Sequence, residues 1–183
     1  MTKFEIAVTT LFIGYFLGQA TDLTKYYLLL HRKKVALKEE VQDHLKRMHY
    51  LRDRLCTIAQ DFSDPKIIGL PVPGKIKSIV FDKYYPEILP HLNESERLKY
   101  SLHFGTVNTF NNGIEQFSES GPVGKKIVNL FHYCCLITET SRDVLDKKTK
   151  GSLTPNTSML NLVHKSVTDF SVMYKLFEPS ESS

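Results

Sequence analysis

Two arrangements of apolar side chains divide this sequence. From Ile6 to Thr21 no charged residue interrupts the run IAVTTLFIGYFLGQAT. From Lys33 to Phe62 charge is frequent, and Leu37, Val41, Leu45, Met48, Leu51, Leu55, Ile58 and Phe62 recur at steps of three and four. That step is the period of a helix with one buried face, so the spacing predicts a single long helix ending at Asp64-Pro65. Asn93, with Glu96 three residues on, predicts a capped helix whose apolar face is Leu98, Leu102, Val107, Phe110, Ile114 and Phe117. Val123–Asp146 reads as a third long helix, apolar almost all round between Ile127 and Ile137 and therefore the most buried. Thr154-Pro155 reads as the capping threonine and first-position proline of a last helix carrying Leu160, Val163, Val167, Phe170, Tyr174 and Phe177. Between the first two, residues 63–92 hold five prolines and two glycines, which excludes long helices. Ile67–Leu70 and Ile76–Phe81 could pair there as a small hairpin.

These elements imply a mainly α protein: an N-terminal transmembrane helix followed by a four-helix-type bundle with a short irregular insert. The expected division is 1–34 as anchor and basic juxtamembrane segment, 35–177 as helical domain, and 178–183 as flexible tail.

The uncharged run has 16 residues, about 24 Å of helix against a hydrocarbon core of about 30 Å. Continuation through Tyr26–Leu30 would make up the difference, with Lys25 snorkelling and the tyrosines at the interface. His31-Arg32-Lys33-Lys34 follows, and basic residues on this flank place the C-terminal side in the cytoplasm of an inner or plasma membrane. A cleaved signal peptide, a buried core helix and an in-plane amphipathic helix are competing readings; the basic cluster after the segment opposes export. Thr10, Gly14 and Gly18 stand four apart, a small-residue stripe that lets two helix backbones approach in lipid and favours a homo-oligomer.

Charge sharpens this picture. The net charge is +4, and five basic residues against two acidic ones lie within residues 1–34. The rest is nearly neutral, so a general nucleic-acid surface is not indicated. Cys56, Cys134 and Cys135 form no C-x-x-C pair, which suggests reduced thiols and neither a disulfide frame nor a zinc site.

Candidate chemistry is sparse. Gly69–Lys75 opens like a P-loop, but Ile76 stands where magnesium needs Ser or Thr, and two prolines remove phosphate-binding donors. Arg97-Leu98-Lys99-Tyr100-Ser101-Leu102-His103 resembles the motif of HEPN-type ribonucleases, helical bundles in which arginine and histidine serve the scissile phosphate. Leu98 stands where that family has a polar residue. His132, Cys134 and Cys135 read as structural, with no metal and no cofactor expected. Gly121-Pro122-Val123-Gly124-Lys125-Lys126 is the strongest ligand candidate. Free N–H groups, a helix dipole and two lysines make an anion site there, with Lys147 and Lys148 as a second basic cluster.

A helical module tethered by residues 4–34, with 35–177 as sensor, resembles the membrane-tethered accessory effectors of CRISPR and other anti-phage systems. The resemblance implies a nucleotide-type signal, such as a cyclic oligonucleotide, read by Gly124, Lys125, Lys126, Lys147 and Lys148. The other expectation is a non-enzymatic adaptor or assembly subunit that binds a protein partner.

Overall fold

The computed structural model describes residues 2–62, 72–118, 122–146, 151 and 154–176. The protein is mainly helical: α1 is Lys3–Phe62, α2 Ile79–Ile88, α3 Glu94–Glu115, α4 Val123–Leu145 and α5 Thr157–Met173. Short 3-10 turns, Leu89–His91 and Gln116–Ser118, extend α2 and α3. No strand occurs among the described residues.

The apolar run and the amphipathic helix are one element. At 60 residues, α1 is about 90 Å long. Its amino-terminal and carboxy-terminal halves have different surroundings. Residues 3–29 are exposed wherever described, and the first buried side chain is Leu37. From there Val41, Met48, Leu51, Leu55 and Ile58 are buried, following the expected face. Phe62, at the end of that stripe, is exposed.

The hub of the folded part is α4, against which α1, α3 and α5 all pack. That explains its apolar circumference: Ile127, Val128, Leu130, Phe131, Cys134, Cys135, Leu136 and Ile137 are all buried. Phe131 stacks on Phe170 of α5 at 3.8 Å between ring centres. Each large apolar side chain removed from water in this way contributes about 1.5–3 kcal/mol before conformational entropy is charged against it.

Helix ends follow local chemistry. Asn93 and Glu96 form a complete capping box on α3: Asn93 Oδ1 accepts from Glu96 N at 2.8 Å, and Glu96 Oε2 accepts from Asn93 N at 3.2 Å. At α5 the expected start moves. Asn156 is the cap and accepts from Met159 N, so Thr154 and Pro155 lie outside the helix. An asparagine carbonyl two residues on outcompetes the threonine because it reaches the free N–H directly.

The expected strand at Ile76–Phe81 is overturned. Residues 72–78 have no ladder, and α2 begins at Ile79. Both facts trace to side chains from distant helices. Asn111 of α3 brackets Ile76, accepting from its N–H and donating to its carbonyl, each at 2.8 Å. Arg47 donates to the Lys75 carbonyl at 2.9 Å, and Lys75 pairs with Glu115. Backbone groups that a hairpin would satisfy are therefore taken up by side chains. The α2 N-terminus has no cap of its own, and Glu40 supplies one from α1: its two carboxylate oxygens accept from Val80 N at 2.9 Å and Phe81 N at 2.8 Å. Ile67–Leu70, the other proposed strand, lies outside the described residues.

Candidate functional site

Three places on this frame could bear function. The first is the amino-terminal part of α1. Among the described residues one helix is long and apolar enough to cross a membrane, and none of its apolar window is buried. Phe4, Leu11, Phe12, Ile13, Tyr15, Phe16 and Leu17 are each more than half exposed, which distinguishes this stretch from a core helix. Three threonines within and just after it bond back to the helix backbone. Thr10 Oγ1 donates to Ile6 O at 2.9 Å, Thr21 to Leu17 O at 2.8 Å and Thr24 to Ala20 O at 2.7 Å. Hydroxyls so engaged need no water, which suits a hydrocarbon environment. A Cβ built on Gly14 or Gly18 meets nothing within 4 Å, so the Thr10–Gly14–Gly18 stripe is open to a second helix.

The second place is a polar layer across the interior. On α1, His44 separates Leu37 and Val41 from Met48 and Leu51. On α3, His103 separates Tyr100 from Val107, and on α4, Thr140 and Ser141 separate Ile137 from Val144. These polar residues face one another between two apolar clusters. His44 Nε2 meets the Lys77 carbonyl at 3.2 Å, His44 Nδ1 meets His103 Nε2 at 3.1 Å, and His103 Nδ1 meets Thr140 Oγ1 at 3.2 Å. A carbonyl can only accept, so the histidine pair has one direction when both rings are neutral: His44 donates to Lys77 and His103 Nε2 to His44, which leaves His103 Nδ1 an acceptor beside the Thr140 hydroxyl, itself 3.2 Å from the Ile137 carbonyl. Burial favours that neutral state. It lowers the His103 pKa from 6.5 to about 3, with His44 pushing the same way. Burial also lowers that of His44, opposed by the Lys77 carbonyl and the Glu40 and Asp43 carboxylates and assisted by Arg47.

This layer decides the fate of the Arg97–His103 pair. His103 is fully buried, whereas Arg97 is exposed and donates from Nε to the Leu92 carbonyl at 3.0 Å. The two residues are not brought together at a common surface.

No known protein family, curated protein or solved structure matches this chain. Geometry alone therefore carries the functional reading.

The third place is the start of α4. Its cap, Pro122, supplies no side-chain hydrogen bond, and the first turn has no acidic residue. Lys125 is exposed, while Lys126 is half-buried and donates to the Phe117 carbonyl at 3.3 Å. Gly124 is buried, and a Cβ there would stand 2.7 Å from the Leu176 carbonyl oxygen. The glycine thus admits the returning chain after α5, a packing reason for its presence. Lys147 and Lys148 lie outside the described residues.

The other candidates sort by burial. Burial raises the thiol pKa of Cys134, and that of Cys135 to about 11, so both stay protonated, unreactive core groups. No cluster of three or more His, Cys, Asp or Glu able to hold a metal occurs among the described residues. Sequence reasoning missed the cap of α4. Lys99, buried on α3, donates to the carbonyls of Asp143 at 2.9 Å and Asp146 at 2.7 Å, placing a cation at the negative end of that helix. It also missed the His44–His103 pair. The signal available was a histidine on the apolar stripe of each of two helices.

Proposed function

We propose that this chain is a single-pass membrane protein that self-associates through Thr10, Gly14 and Gly18 and holds a four-helix-type domain at the cytoplasmic face as a recognition module without catalysis of its own. The observation that carries the reading is the continuity of α1. A wholly exposed apolar stretch runs, with no break in the helix, into the stripe that builds the core. A rigid connection of that kind transmits rotation or separation of the anchors to the domain, which suits an adaptor or assembly subunit. The basic flank after the span supports the cytoplasmic orientation.

The stripe is tested by Gly14→Ile with Gly18→Ile, followed by light scattering in detergent. A smaller assembly with unchanged helical content supports close packing of the glycine faces. An unchanged assembly contradicts it.

A second reading, a sensor of a nucleotide-type signal, has its support in the uncapped α4 start with Lys125 exposed beside it. Calorimetric titration of the protein with cyclic oligonucleotides separates the two. Saturable binding lost in Lys125→Ala/Lys126→Ala favours the sensor. No binding favours the adaptor.

A further inference from the structure

We propose that the turn after α2 is a lipid-docking surface: Leu89–His91 rests in the headgroup layer of an anionic membrane and sets the depth and orientation of the folded domain. The inference rests on the anchor reading and adds a second membrane contact to it.

The uncharged run ends at Thr21, and the Asp22–Lys25 ion pair, at 3.8 Å and well exposed, opens the polar zone. Tyr26 follows, five residues beyond Thr21, or about 7.5 Å along the axis. A headgroup layer is about 5–7 Å thick on each side of the hydrocarbon. Tyr26 thus stands at the outer edge of the headgroup layer. The Leu89–His91 turn stands beside it: the Tyr26 hydroxyl meets His91 Nε2 at 2.8 Å, with the rings edge-on at 5.9 Å.

The turn is held there firmly. Lys34 Nζ donates to the His91 carbonyl at 2.6 Å, and Lys33 pairs with Glu87. Lys33 and Lys83 both lie over the Tyr84 ring, at 5.6 and 5.1 Å from its centre. The Glu40 cap ties the other end of α2 to α1. Pro90 and His91 remain exposed.

Charge selects the lipid. Across 31–38 and 82–91, Arg32, Lys33, Lys34, Lys38 and Lys83 face only Asp82 and Glu87, leaving a local excess of three positive charges without counting His31 or His91. Basic groups near a membrane surface favour acidic phospholipid by about 1 kcal/mol each.

The docked turn also sets the limits of the span. With Leu89–His91 against Tyr26, the hydrocarbon does not extend to Leu30. The uncharged run from Ile6 to Thr21, about 24 Å of helix, is then the part within the hydrocarbon, with Lys3 toward the opposite surface.

The sequence contains no tryptophan, so single reporters read depth without background. Pro90→Trp, Leu89→Trp, Tyr50→Trp and Phe12→Trp are each placed in the full chain. The proteins are reconstituted in phosphatidylcholine–phosphatidylglycerol vesicles carrying nitroxides in the headgroup or deep in the acyl chain. Tyr50 lies 24 residues past Tyr26, about 36 Å farther along α1. The expected result is blue-shifted emission from Pro90→Trp and Leu89→Trp, with headgroup quenching several-fold stronger than for Tyr50→Trp and weaker without phosphatidylglycerol. Quenching no stronger than for Tyr50→Trp, while the deep nitroxide quenches Phe12→Trp, overturns the docking proposal and leaves the anchor standing. No deep quenching of Phe12→Trp overturns the anchor and the docking with it. Equal quenching in phosphatidylcholine alone overturns the requirement for acidic lipid.

Discussion

His44 and His103, one on α1 and one on α3, share a 3.1 Å hydrogen bond in the interior, and its direction is set by the Lys77 carbonyl at one end. A proton added to His44 Nδ1 would place two N–H groups head to head, and one added to His103 would put a charge in the apolar interior.

Stability therefore depends on pH in a definite sense. The folded pKa of His103 is about 3, below the unfolded value of about 6.5. Under mild acid the unfolded chain binds the proton that the folded chain refuses. The stabilisation is complete above about pH 6.5 and is lost as pH falls toward the folded value, at up to roughly 1.4 kcal/mol per pH unit per histidine. Between pH 6.5 and 5 the loss from His103 alone is about 1.6 kcal/mol, and His44 adds to it. Urea unfolding of the detergent-solubilised chain across that interval checks this. His103→Gln, which keeps a donor and an acceptor, flattens the profile; an equally steep profile in that variant contradicts the assignment.

Glu40→Gln leaves one carbonyl oxygen for the two N–H groups of Val80 and Phe81. Leaving one part-buried donor unmatched costs about 1–3 kcal/mol, concentrated at the start of α2. Hydrogen exchange followed by mass spectrometry checks it: exchange accelerates in peptides covering 78–91 while α4 peptides keep their protection. Unchanged exchange in 78–91 means that water or Ser78 substitutes for the carboxylate.

Gly124→Ala reverses the usual preference for alanine in a helix. The added methyl meets the Leu176 carbonyl at 2.7 Å, and backbone cannot yield as a flexible side chain would. A loss of about 1–3 kcal/mol is expected, measured as a lower urea midpoint. A gain in stability would show that the chain after α5 does not rest on this turn.

Which parts of the fold could be read in advance follows from where each restraint originates. The stripe of α1 and the capping box of α3 are written in neighbouring residues, and the structure bears both out. The circumference of α4 was legible because three helices cover it. On α3 the expected face included Leu98 and Leu102, which are only half-buried, and omitted the buried Tyr100 and Phe104. Those two rings are covered by Phe81 and Tyr85 of α2, a helix that the proline count concealed. It exists despite Pro86 because Glu40, some 40 residues away, caps it. The polar layer was equally hidden: His44 and His103 are 59 residues apart, and periodicity reports the face a residue occupies without naming what opposes it.

The membrane role proposed for this chain requires that α1 cross a bilayer. Burial of an uncharged helix is insensitive to salt and to alkaline pH, unlike attachment through surface charge. The decisive measurement is extraction of membranes containing the full chain with alkaline carbonate, beside a chain beginning at Lys33. The full chain is expected to stay in the membrane pellet while the shortened chain is released. Release of the full chain by carbonate would contradict the anchor and, with it, the membrane role proposed for this protein.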